Sequence, residues 1–66
     1  MRKFPEKEFI ALKVMDFRKE RSLTQEQFAE LVGVDAYTVI RWEKMEHKPN
    51  WICYREMVKM GVFPKD

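Results

Sequence analysis

Residues that form cross-links, metal sites or tight turns are scarce in this 66-residue chain. Its single cysteine, Cys53, cannot form an internal disulfide, and the simple interpretation is a protein of the reducing cytoplasm. The lone histidine, His47, has no second histidine or cysteine at ligand spacing, so we predict no metal site. Only two glycines occur, Gly33 and Gly61, and each is expected to mark the end of an element.

Long apolar runs and catalytic constellations are also missing. No run approaches the roughly 18 apolar residues that cross a bilayer, and lysines and glutamates interrupt the segment after the basic N-terminus. We therefore expect neither a membrane span nor a signal peptide. No nucleophile is paired with a base, no glycine-rich phosphate loop occurs, and so short a chain encloses no sizeable pocket. We predict no enzymatic activity, no cofactor and no small-molecule ligand.

The charge balance is close to even, with 13 lysines and arginines against 11 aspartates and glutamates. Hydrophobic residues make up 45% and charged residues 36%, an ordinary globular balance. The length predicts one domain, residues 1–66, with a modest core. The mildly basic net charge of +2 favours a nucleic-acid partner only weakly.

Apolar spacing predicts two helices in the first half of the chain. A first helix is expected over residues 5–21, with Ile10, Val14 and Phe17 facing inward. A second is expected from Thr24, which has a glutamine at capping-box spacing, and it ends at Gly33. Its predicted buried stripe consists of three residues: Phe28, Leu31 and Val32.

Two more helices are predicted in the second half, and no strand pattern is seen. Asp35 is a good N-cap for a third helix over residues 36–45, with Val39 and Trp42 inward. Asn50 can cap a fourth helix over residues 51–60, and the tail after it is expected to be irregular. The predicted fold is an all-α compact bundle of four helices, with five as the alternative count.

The second and third helices are each too short to be stable in isolation. Two short helices, joined by a tight turn containing glycine and supported by a third, are typical of a helix-turn-helix, predicted here over residues 24–45. In that motif the second helix of the pair enters the DNA major groove, and the first crosses the backbone.

The segment "LTQEQFAELVGVDAYTVIRWE", residues 23–43, with "RKER" just before it, resembles the Cro and lambda-repressor type of helix-turn-helix, the Xre family. The resemblance covers about residues 10–60. It implies a sequence-specific, DNA-binding transcriptional regulator, with a dimeric repressor or autorepressor on an inverted-repeat operator as the expected form.

The resemblance also implies roles for individual residues. The positions that resemble base-reading ones are Ala36, Tyr37 and Arg41. Those that resemble phosphate contacts are Gln25, Thr38, Lys44 and Lys48. Arg18 and Glu43 resemble a buried ion pair of the family. The chain departs from the family pattern at Met45, where a glycine is frequent, and at Glu46, where a basic residue would aid phosphate binding.

The fourth helix and the tail carry more apolar residues than one buried face requires. We predict that this excess forms a homodimer interface from Trp51, Tyr54, Met57, Val58, Val62 and Phe63. The alternative is that the tail folds back and completes the core of a single chain. The same apolar excess also leaves open an alternative function, an antitoxin-type module that binds a protein partner and contacts DNA only within that complex.

Overall fold

Four α-helices make up the regular structure of the computed structural model, which describes residues 5–63. They are α1 (Lys7–Glu20), α2 (Gln25–Val32), α3 (Ala36–Glu43) and α4 (Trp51–Met60). Helix α3 packs against both α2 and α1, and α4 packs against α2. The prediction of an all-α, four-helix fold is confirmed, and residues 5–63 contain neither a strand nor a fifth helix. No helix in this range is long and apolar enough to span a membrane.

Side chains cap the N-termini of three helices. The Thr24 hydroxyl accepts a hydrogen bond from the Gln27 backbone N–H at 3.0 Å, and the Gln27 side chain accepts one from the Thr24 N–H at 2.8 Å. The predicted capping box is therefore confirmed. Asp35 and Asn50 cap α3 and α4, each accepting a backbone N–H three residues further on, at 2.9 and 2.8 Å.

A residue with left-handed backbone conformation follows every helix. The residue that follows each left-handed residue donates its backbone N–H to the carbonyl of the residue five positions before it, over 2.8 to 3.0 Å. This pattern satisfies carbonyls that a helix end otherwise leaves unpaired. The four left-handed residues are Ser22 (φ 56°), Gly33 (φ 96°), Met45 (φ 64°) and Gly61 (φ 92°).

The end of α3 corrects the prediction that this helix runs to Met45. The helix ends at Glu43, Lys44 is its C-cap, and Met45 takes the left-handed conformation at the position where the family often has glycine. A residue with a Cβ pays a steric penalty there of about 1 kcal/mol. The turn is therefore formed without the residue type, glycine, that adopts this backbone conformation at the lowest energy.

The core confirms most of the predicted inward-facing residues. Side chains 6% exposed or less come from all four helices and include Ile10, Val14, Phe17, Phe28, Val39 and Trp42. The prediction for Leu31 was wrong, because its side chain is 54% exposed. The stripe of α2 that packs inward comprises Phe28, Ala29 and Val32, and Leu31 lies roughly 100° around the helix from its centre.

The chain beyond α4 corrects the predicted interface. Met57, Val62 and Phe63 are at most 5% exposed and belong to the core of their own chain. The turn at Gly61, held by a 3.0 Å bond from the Val62 N–H to the Met57 carbonyl, reverses the chain and directs both tail residues inward. These three side chains therefore do not form a contact surface, and the alternative, in which the tail completes the core, holds for them.

Replacing Met45 by glycine should stabilise the protein. Glycine adopts positive φ without steric cost, and the 46% exposed side chain of Met45 contributes little packing that would be lost. We expect the free energy of unfolding to rise by about 0.5–1 kcal/mol, measured by urea denaturation. Met45→Ala is the matched control, since it shortens the side chain but keeps the Cβ. Equal stability of the two variants would contradict a backbone origin.

Candidate nucleic-acid interface

A cluster of partly buried hydrogen bonds around Glu43 fixes the position of α3. Arg18 donates to both carboxylate oxygens of Glu43, from Nε at 2.7 Å and from Nη2 at 3.1 Å. Its Nη1 donates to the Leu23 carbonyl at 3.0 Å, and the Gln25 amide donates to Glu43 Oε1 at 3.0 Å. The ion pair expected from the family resemblance is confirmed, with side chains 17% and 8% exposed. The whole cluster connects α1 and the turn after α1 with the first residue of α2 and the last residue of α3.

The outer face of α3 carries the predicted base-reading side chains. Val39 and Trp42 anchor the opposite face in the core, so the face that carries Tyr37 and Arg41 is directed outward. Tyr37 is 61% exposed, and the Arg41 guanidinium lies over its ring, 5.3 Å from the centroid. Ala36 is half-buried at the first position of the helix. The outer face therefore presents an exposed aromatic ring and, beside it, a partly exposed cation.

The turn after α3 folds back onto Arg41. His47 Nε2 and Arg41 Nη2 are hydrogen-bonded, and Glu46 Oε1 lies 3.7 Å from Arg41 Nε. That Nε is covered from solvent and has no hydrogen-bond partner. The sequence identified Arg41 but did not reveal these two neighbours. Glu46 and His47 approach Arg41 because the chain reverses at Met45. In the sequence, the one indication of this reversal was that related sequences often have glycine near position 45.

Thr38 is already engaged through both of its donors. Its hydroxyl donates to Asp35 Oδ1 at 2.6 Å and its backbone N–H donates to the same oxygen at 2.9 Å. These bonds hold the pKa of the Asp35 carboxyl below its ordinary value of 3.8. Because the pKa is lowered in the folded state, the stability that this cap contributes is present above pH 3.8. It is lost as the pH falls through the lower, folded-state value.

A cleft of about 380 Å³ lies beside α3 and gathers some of the predicted residues. Thr38, Arg41 and Lys48 line it, together with residues of the connector and of α4. Cys53 also lines this cleft, and partial burial raises the pKa of its thiol. Lys44 is exposed at the end of α3, whereas Gln25 is held elsewhere, by its bond to Glu43.

Comparison with known proteins bears on this arrangement. The model of a helix-turn-helix family matches residues 14–50, which is more than half of the chain. The chain belongs to the Cro/lambda-repressor-type (Xre) helix-turn-helix family. It is also similar to a protein of Methanothermobacter thermautotrophicus (strain Delta H) named as an uncharacterized HTH-type transcriptional regulator. The two are 39% identical over 46 residues, which cover 70% of this chain and 67% of that protein.

Family membership indicates which helix of the structure corresponds to the DNA-binding one. In DNA complexes of helix-turn-helix proteins, the motif's second helix lies in the major groove, and α3 is the corresponding helix here. The family match and the similar protein show a DNA-binding regulator of transcription. The segment that matches the family model contains α2, α3 and the whole Glu43 cluster. Among the described residues, no group of three or more histidine, cysteine, aspartate or glutamate side chains could hold a metal ion.

Removing the Glu43 carboxylate should destabilise the protein strongly. In Glu43→Ala the partly buried guanidinium of Arg18 loses its counter-ion and the Gln25 amide loses its acceptor. Breaking a fully buried pair costs about 3–5 kcal/mol, and we expect about 2–3 kcal/mol for this partly buried one, to be measured by urea denaturation. The control Glu30→Ala removes an exposed glutamate of α2 and should change stability by less than about 0.5 kcal/mol. A similar small effect in both variants would refute a central role for the cluster.

Proposed function

We propose that this protein is a dimeric, sequence-specific repressor that reads an inverted-repeat operator through the major groove. The observation that carries the proposal is the outer face of α3, where Tyr37 and Arg41 project from a helix anchored by Val39, Trp42 and Glu43. A firmly anchored helix that presents an exposed ring and a partly exposed cation suits the reading of base edges. Occupying a promoter is the simplest way for such a binder to regulate transcription.

Three residues of α3 are the proposed readers of bases. Arg41 can donate two hydrogen bonds to O6 and N7 of one guanine, the commonest specific contact in protein–DNA complexes. The Tyr37 ring can pack on a thymine methyl, or its hydroxyl can bond a base edge. The Ala36 methyl suits a thymine methyl or permits close approach of the helix.

Phosphate contacts are proposed for residues at both ends of the helix-turn-helix. Lys44 and Lys48 can neutralise phosphates, which positions the protein without reading the sequence. Gln25 is the first residue of α2, and its N–H is among those that a helix N-terminus leaves unpaired. The bond to Glu43 fixes the position of its side chain and leaves the second hydrogen of the amide for a phosphate. Thr38 is the least suited, because its hydroxyl hydrogen already goes to Asp35.

Self-association is proposed through the start of α4. Trp51 is 58% exposed, and Ile52, which lay outside the set predicted from sequence, is 77% exposed. The Trp51 ring stacks on Tyr54 at 5.5 Å between centroids, which in turn lies 4.9 Å from Phe63, so the exposed ring rests on the core. Val58 is half-buried further along the helix. In a two-fold dimer the two α3 helices would lie about 34 Å apart, one turn of DNA.

The exposed pair Trp51 and Ile52 also favours a second candidate, an antitoxin-type module that covers this surface with a different protein. Glu46 is consistent with this candidate, because its negative charge close to Arg41 reduces the attraction to phosphates. The two candidates differ in whether the isolated chain dimerises and selects its own DNA sequence.

Selection from a random DNA library, at two salt concentrations, tests the proposed function. The wild-type protein should enrich an inverted repeat with half-sites one turn apart. Arg41→Ala should lose about 1–3 kcal/mol of binding free energy and relax the preference at one base pair. Lys44→Ala should weaken binding to all sequences alike and lower the salt dependence. Weak, sequence-blind binding by the wild type, erased by salt, would refute an autonomous specific repressor.

Sedimentation of the purified protein tests the proposed interface. We expect a dimer, and Ile52→Asp should weaken it by about tenfold or more, because a buried apolar contact becomes a buried charge. Leu31→Asp is the matched control, since it places the same charge at another exposed apolar residue, on α2. A wild-type monomer that forms a stable complex only with a co-expressed neighbouring gene product would favour the antitoxin-type module.

A further inference from the structure

The contacts of Arg41 assign a role to a residue outside the helix-turn-helix itself. We propose that His47 is a positioning residue for base recognition: it holds the Arg41 guanidinium so that only its outer edge, Nη1 and Nη2, faces the DNA. This inference rests on the proposed function of Arg41, and it adds a specificity determinant in the segment between α3 and α4.

An arginine can read guanine in two ways. It can use both terminal nitrogens, Nη1 and Nη2, or one terminal nitrogen together with Nε. A guanidinium carries five hydrogens in a fixed plane, one on Nε and two on each terminal nitrogen. Which edge is presented depends on what occupies the remaining hydrogens.

The structure closes one of these two edges. Arg41 Nε is covered from solvent, with the Glu46 carboxylate 3.7 Å away and no hydrogen-bond partner. One hydrogen of Nη2 is directed to His47 Nε2. Both hydrogens of Nη1 and one of Nη2 remain, three in all, and an end-on pair with O6 and N7 of guanine requires two, one from each of these nitrogens.

The Tyr37 ring and His47 constrain the guanidinium in complementary ways. The Arg41 Cζ lies over the Tyr37 ring, 5.3 Å from its centroid, and this cation–π contact favours keeping the guanidinium beside the ring. The bond to His47 restrains Nη2 of the same group. A long, flexible side chain with two such contacts loses less entropy when it binds a base, and it discriminates better against other bases.

The bond also fixes the state of the imidazole. Arginine has only donors, so His47 Nε2 must be the acceptor and the neutral ring must carry its proton on Nδ1. Long-range proton–nitrogen NMR in alkaline buffer, where imidazoles are uncharged, should therefore find the Nδ1–H tautomer in the free protein. Arg41→Ala should remove this preference. An Nε2–H tautomer in the wild type would overturn the proposal without any use of DNA.

Library selection with His47 variants provides the functional test. His47→Leu removes the acceptor, and we expect guanine preference at the base pair read by Arg41 to fall by about fivefold or more. The salt dependence should remain, because the phosphate contacts are untouched. His47→Gln keeps an acceptor oxygen and should retain most of that preference. Urea denaturation of each variant separates these effects from a loss of folding.

Four results of these selections would contradict different parts of the argument. An unchanged guanine preference in His47→Leu would overturn the positioning role, and so would an equal loss of binding to every sequence by a folded variant. A wild-type protein with no sequence preference, or an Arg41→Ala variant with unchanged preference, would instead refute the proposed function itself. The tautomer measurement in the free protein still decides whether the His47 contact exists.

Discussion

The Glu43 carboxylate is the group on which the rest of the structure depends. It lies at the last residue of α3 and receives hydrogen bonds from Arg18 of α1 and from Gln25 at the start of α2. A carboxylate that is 8% exposed is tolerated only when its lone pairs are satisfied, and here three donors satisfy them. The angle between the two helices of the motif is thus set by a polar contact with strict geometry, as well as by apolar packing.

Short elements make this contact necessary. Helices α2 and α3 have eight residues each, so neither is stable through its own hydrogen bonds. N-terminal side-chain caps and left-handed C-terminal turns satisfy the ends of both, and the core residues Phe28, Val39 and Trp42 hold them together. The apolar core fixes which face of α3 is buried, and the Glu43 cluster fixes its end. The side chains on the outer face of α3 are not needed for packing and can therefore serve binding.

That outer face is not simply a row of solvated side chains. The turn at Met45 brings Glu46 and His47 back against Arg41, which also lies over Tyr37. The proposed base-reading residues Tyr37 and Arg41 are therefore supported by the segment that follows α3. An acidic residue in this position opposes phosphate binding in general, while an acceptor beside the guanidinium favours one orientation of it. In the proposed function, both effects would favour specificity over affinity.

The sequence by itself determined the elements and the motif. The positions of Thr24, Asp35, Asn50 and the two glycines placed the helix ends, because caps and left-handed turns depend on local residue type. Apolar spacing gave the inner face of α1 and α3, and the family resemblance gave the Arg18–Glu43 pair.

Only the tertiary structure decided what depends on contacts between distant residues. Leu31 is exposed because α3 and α4 cover a different side of α2 from the one that its spacing suggested. Met57, Val62 and Phe63 are internal because one left-handed turn reverses the chain after α4. The neighbours of Arg41 likewise depend on the turn at Met45, where a methionine adopts a backbone conformation that its residue type does not favour. Helical periodicity reports which side of a helix is apolar, whereas the direction of the chain after a turn decides what covers that side.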